Sequence, residues 1–167
     1  MSWSREELEE AFGNHGSTIA GLAGQSDWEP FVQLFVPDVE YVDPMMGTMR
    51  GHDEIRTWAN AALGTFPGSA MTYPESWHLV DEARGWIVCE LRDVMRDPGD
   101  GSLHELSHIT VLHYAGDGLF SLERDVYDPA AFISLIESWG RRSAQLGSLT
   151  EAETEWFAQS MPAALEF

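Results

Sequence analysis

A chain of 167 residues, 44% apolar and 22% charged, suits a single globular domain able to bury a core. Its formal net charge is −19, and all nine of its basic residues are arginine. So acidic a surface repels phosphate backbones and anionic lipid, so no nucleic acid and no membrane are expected as partners, and the lack of lysine excludes Schiff-base chemistry.

Cys89 is the single cysteine, so neither an intramolecular disulfide nor a thiolate zinc cluster is expected. The segment from Met1 to Glu7 is acidic and lacks an apolar signal core, and no apolar run approaches a membrane span. A cytoplasmic address is therefore expected.

The first helix is predicted from Arg5 to Leu22. Ser4 and Glu7 form a capping box ahead of Leu8, Ala11, Phe12, Ile19 and Leu22, while Gly13 and Gly16 weaken its middle. Asp27 is the expected cap of a second helix, Trp28 to Val36, with Pro30 in its first turn. Val39 to Asp43 alternates as a strand and is closed by Pro44. Gly47 to Gly51 reads as a loop, and His52 to Leu63 as a third helix carrying Ile55, Trp58, Ala59 and Ala62. Met71 to Val80 is expected to be a strand interrupted near Pro74. Trp86 to Arg96, Leu103 to Tyr114 and Leu119 to Tyr127 follow as strands, separated by the turn signals Asp97 to Gly101 and Ala115 to Gly118. Asp128 and Pro129 open a helix running to Trp139. Beyond Gly140, Arg141 to Ser148 reads as a linker. Thr150 and Glu153 then cap a short helix bearing Trp156 and Phe157, which has to dock on the domain's own surface, over a pocket or against a second copy.

This order predicts an α+β fold: a cone-shaped, curved antiparallel sheet wrapped around a long N-terminal helix. Residues 1–140 form the domain, and 141–167 an additional C-terminal helical tail.

Strand periodicity sorts the side chains. Ile87, Cys89, Leu91, Asp93 and Met95 share one face of their strand, opposite Glu90, Arg92 and Arg96, so Asp93 interrupts an inward apolar row. A carboxylate there loses hydration worth several kcal/mol unless it gains partners, which favours its protonated form. Val39, Tyr41 and Asp43 share a face. Asp125 shares one with Leu119 and Tyr127, opposite Phe120, Leu122 and Val126. On the next-to-last strand the set His104, Leu106, His108, Thr110 and Leu112 competes with Leu103, Glu105, Ser107, Ile109 and Val111, and periodicity does not choose between them.

His104-Glu-Leu-Ser-His108 matches the H-E-x-x-H pattern of zinc proteases, which requires a helix to bring both imidazoles to one ion. On a strand the two histidines stand roughly 13 Å apart, at about 3.3 Å per residue. No metal site is expected.

Tyr41-Val-Asp43-Pro44, Arg50-Gly51, Ile55-Arg56 and Ala59-Asn60 together resemble a stretch of the ketosteroid isomerases. These belong to the nuclear transport factor 2-like superfamily, with SnoaL-like polyketide cyclases and limonene-epoxide hydrolase. That resemblance implies a catalytic base at Asp43. Glu90-Leu-Arg-Asp93-Val-Met-Arg96 and Glu123-Arg-Asp125-Val-Tyr-Asp128 resemble the two carboxylate segments of limonene-epoxide hydrolase. The comparison implies an acid at Asp93, a base at Asp125 and a water-binding tyrosine at Tyr41. The hydrolase's arginine, which bridges its two aspartates, falls at Leu91. The isomerase's protonated aspartate falls near Thr110, or at His108 with a slipped register.

The expected function is acid–base catalysis, without a cofactor, on an apolar terpenoid, steroid or polyketide-like molecule. Asp43, Asp93, Asp125, His108 and Tyr41 are the expected catalytic set. Trp58, Leu91, Met95, Leu106, Thr110 and Tyr127 are expected to contact the substrate. The competing expectation is a non-catalytic binding or dimerisation module of the same fold. The resemblance also implies a homodimer formed through the sheet's outer face.

Overall fold

The computed structural model describes residues 3–166; Met1 and Ser2, which open the acidic N-terminal segment, and Phe167 lie outside them. In chain order the elements are α1 (Arg5–Leu22), α2 (Glu29–Val32), β1 (Phe35–Asp43), β2 (Gly47–Arg50), α3 (Gly51–Ala62), β3 (Met71–Thr72), β4 (Glu75–Asp81), β5 (Trp86–Met95), β6 (Glu105–Gly116), β7 (Leu119–Val126), α4 (Pro129–Leu146) and α5 (Glu151–Ser160). The fold is α+β, with a curved, unclosed sheet.

Strand order is β2-β1-β7-β6-β5-β3, with β4 also paired to β5. Every pairing is antiparallel except β1 with β7, which run parallel because the whole β2–β6 excursion separates them in sequence. The concave face closes over α1, α2 and α3. The Ser4 hydroxyl accepts a bond from Glu7 N–H to start α1, whose buried stripe is Leu8, Ala11, Phe12, His15, Ile19 and Leu22. That stripe packs with Trp28, Phe31, Phe35, Ile87, Leu112 and Phe120 in the main core.

Three expected boundaries are corrected. The second helix is one turn, not Trp28 to Val36. Asp27 does accept a bond from Glu29 N–H, but Pro37 drives the residue before it out of helical geometry, and the chain extends from Phe35 into β1. The expected loop at Gly47 is strand β2, hairpinned onto β1. Its turn is closed by Asp43 Oδ1, which accepts from Met45 N–H and Met46 N–H, both at 2.8 Å. Finally, Arg141 to Leu146 continue α4, so the expected linker is helical over those residues. Gly140 does not end the helix: a Cβ there would collide with the Phe157 ring, so the residue is needed for close packing. The stop comes at Gly147, in the left-handed conformation with φ 67°.

The tail docks on the chain's own surface. Phe157 is fully buried beside Trp139, Leu135, Ile136, Met71 and Met95 in a second core, with Phe66 edge-on to it at 5.5 Å. Among the described residues no helix is long and apolar enough to cross a membrane.

Candidate active site

The sheet's register decides which groups converge. Leu91 pairs with His108 and Asp93 with Leu106 across β5 and β6, while Thr110 pairs with Asp125 across β6 and β7. His108 is therefore diagonal to Asp93 on one side and to Asp125 on the other, within reach of both. The choice periodicity left open on β6 falls to the even set: His108, Thr110, Leu112 and Tyr114 are buried.

These groups face a cavity of about 240 Å³ between the sheet and the helices. Tyr41, Asp43, Trp58, Leu91, Asp93, His108, Asp125 and Tyr127 all line it. Thr110 lies just beneath, fully buried, its hydroxyl donating to Asp125 Oδ1 at 2.6 Å. Three expected substrate contacts are corrected: Thr110, sealed behind Asp125, does not line the cavity, and neither do Met95 and Leu106. Met95 is the last residue of the inward row on β5 and lies in the second core, against which Leu106 also packs, because this end of the sheet is covered by α4 and α5. His104 makes contacts with Ser102 and Ser138 away from the cavity, so it and His108 do not share a site.

Asp125 sits among polar partners. Tyr41 OH donates to its Oδ2 at 2.6 Å and stands 3.4 Å from Glu123 Oε1. Burial first, then the adjacent Glu123 carboxylate, pushes the Asp125 carboxyl up to about 7. His108 Nε2 is 3.9 Å from Asp125 Oδ1, and its Nδ1 is 3.3 Å from Asp93 Oδ2. The latter contact is close in distance but off the angle of a hydrogen bond, so Nδ1 has no partner. Burial opposes an imidazolium here, yet the combined pull of Asp93, Asp125 and Glu123 outweighs it and holds His108 up at about 9. Burial and the neighbouring carboxylates hold the Tyr41 and Tyr127 hydroxyls well above the usual phenol range.

Asp43 is engaged differently. One oxygen closes the β1–β2 turn, and the other accepts from Tyr127 OH at 2.9 Å. Its carboxylate anchors the loop that carries Met45 and Met46 to the cavity rim.

Two buried groups escaped the sequence reading. Glu123, 2% exposed, lines the cavity two residues before Asp125, and His15, 1% exposed, meets it from α1 at 3.0 Å. Both had a signal: Glu123 shares a strand face with Asp125, and His15 continues the helical stripe set by Leu8, Ala11 and Phe12. The row expected on β7 opposite Asp125 is corrected at Phe120. Phe120 points inward, but Leu122 is only half-buried and Val126 is exposed, because a bulge between Phe120 and Leu122 reverses the alternation.

A family profile described as a SnoaL-like domain matches residues 19–121. No curated protein sequence matches the chain. Among solved structures the chain is similar to an NTF2-like protein from Anabaena variabilis, 14% identical over 77% of this chain and 94% of that one, with a TM-score of 0.61. It is similar to an LEH-like epoxide hydrolase of M. tuberculosis, 12% identical over 90% and 99%, TM-score 0.62. A third is a protein with a ketosteroid isomerase-like fold from Catenulispora acidiphila, in complex with trimethylamine, 16% identical over 75% and 91%, TM-score 0.59. Likeness of this degree shows a shared fold.

Proposed function

The chain belongs to the SnoaL-like domain family, and from that premise we propose that its cavity performs cofactor-free acid–base catalysis on a compact, mostly apolar small molecule. The observation that carries this reading is the placement of His108 between Asp93 and Asp125 inside an apolar chamber. Two titratable groups whose environments set their proton affinities apart make an acid and a base. Asp125, held near 7, exchanges its proton readily at neutral pH and acts as the base. His108, held near 9, stays protonated and gives a proton to a developing oxyanion, steadied by Asp93. Tyr41 and Thr110 fix the Asp125 carboxylate by hydrogen bonds.

In this scheme a proton leaves carbon or water for Asp125, and another passes from His108 to oxygen. Isomerisation, dehydration, cyclisation and epoxide opening share that exchange. The chamber is slightly smaller than the roughly 300–1,000 Å³ of typical ligand pockets, which favours a compact terpenoid over an elongated polyketide.

One observation favours the second reading, a non-catalytic binding module: both oxygens of Asp125 already accept bonds from the protein. A panel of enones, epoxides and hydroxyketones separates the two. The catalytic reading expects turnover that falls at least roughly 100-fold in both Asp125→Asn and His108→Gln. Turnover unchanged in both variants would refute it.

A further inference from the structure

Four carboxylates line this cavity: Asp43, Asp93, Glu123 and Asp125. Among the described residues no arginine lines it, and His108 is the sole lining group that carries positive charge. A chamber for a neutral hydrocarbon has no use for this excess, since each buried carboxylate without a counter-charge loses hydration worth several kcal/mol.

Three of the four accept hydrogen bonds within the protein. Asp43 takes two backbone amides and Tyr127, Asp125 takes Tyr41 and Thr110, and Glu123 meets His15. Asp93, only 5% exposed, accepts no well-formed hydrogen bond from the described residues. Its one charged neighbour is His108, whose Nδ1 stands 3.3 Å from Asp93 Oδ2 without hydrogen-bond geometry. Asp93 is thus the cavity carboxylate whose oxygens are held by no hydrogen bond from the described residues.

The remaining wall is apolar and carries several aromatic rings, among them Trp28, Phe31, Trp58 and Tyr73. Ring faces attract cations by their quadrupole, most strongly when water is excluded. No three His, Cys, Asp or Glu among the described residues are arranged to hold a metal ion. An organic cation fits both the charge and the rings.

We propose that the cavity recognises a compact tertiary or quaternary amine, whose alkyl groups lie against Trp58 and the neighbouring rings and whose nitrogen faces Asp93. The inference rests on the reading of this cavity as the ligand site, and it narrows the substrate to an apolar molecule bearing a cationic nitrogen.

The test titrates the full-length chain with benzyltrimethylammonium and with its uncharged carbon isostere, neopentylbenzene, following amide shifts by NMR at neutral pH. The ammonium ion should bind at least tenfold more tightly than the isostere. Asp93→Asn should erase that preference while leaving isostere binding unchanged, and Trp58→Leu should weaken the ammonium ion more than the isostere. Equal affinities, no saturation by the ammonium ion, or a preference untouched in both variants would overturn the proposal. An isostere that binds as well as the ion removes the amine and leaves the acid–base reading standing. That reading fails separately, through turnover that survives Asp125→Asn and His108→Gln.

Discussion

His15 on α1 and Glu123 on β7 meet at 3.0 Å across the centre of the molecule, both almost sealed from water. The contact ties the long helix to the sheet directly beneath the carboxylates of the cavity. Removing one partner strands the other without a bond in a low-dielectric interior. His15→Leu is expected to cost about 3 kcal/mol in urea denaturation. The double variant with Glu123→Leu should recover part of that loss, and a single-variant loss within experimental error would show that the pair is not structural.

Stability should fall as pH rises. The Asp125 carboxyl is held at about 7 in the folded chain, against roughly 3.9 when unfolded. Its contribution is complete below the unfolded value and is lost as pH climbs through 7. His108, raised to about 9 from 6.5, acts in the same direction, and its contribution is lost as pH passes through 9. Denaturation midpoints should therefore decline between about pH 4 and pH 9. Asp125→Asn should flatten the lower part of the curve and His108→Gln the upper part, and a wild-type curve already flat between these limits would contradict both assignments.

Asp43 anchors the rim. Asp43→Ala removes the acceptor for Met45 N–H, Met46 N–H and Tyr127 OH. It should lower stability by about 1–3 kcal/mol and speed amide exchange at Met45 and Met46. Asp43→Asn retains an oxygen for the turn and should keep exchange slow. Equal exchange in wild type and Asp43→Ala would mean the turn holds without the side chain.

Gly140 and Phe157 form a size-matched contact in which a Cβ and the ring cannot coexist. Phe157→Ala should cost about 3–5 kcal/mol. Gly140→Ala should release α5, seen as faster amide exchange over residues 151–160. Unchanged exchange there would mean the ring has another seat.

Much of the architecture was legible because it follows local rules. The Ser4 cap, the alternation of β5 and the Pro129 helix start each act within a few residues, although the Glu7 carboxylate accepts from Tyr114 OH and does not close the expected capping box. So Asp93 could be placed inward from its neighbours alone. His108 could not, since β6 carries apolar side chains on both faces and only its pairing with β5 fixes which one is concave. The bulge after Phe120 left no mark that periodicity detects, and it is why the apolar row expected on β7 dissolves. Gly140 read as a stop because a glycine's need for space resembles a glycine's need for a left-handed backbone, and only the Phe157 ring separates the two.

The main core and the tail core meet along the stretch from Phe66 to Tyr73. Phe66 packs with Trp139, Trp156 and Phe157, the next residue, Pro67, lines the cavity, and Tyr73 touches both cores. The tail is thus a buttress behind one wall of the chamber, and shortening the chain at its end would soften that wall while leaving all four carboxylates of the cavity in the chain.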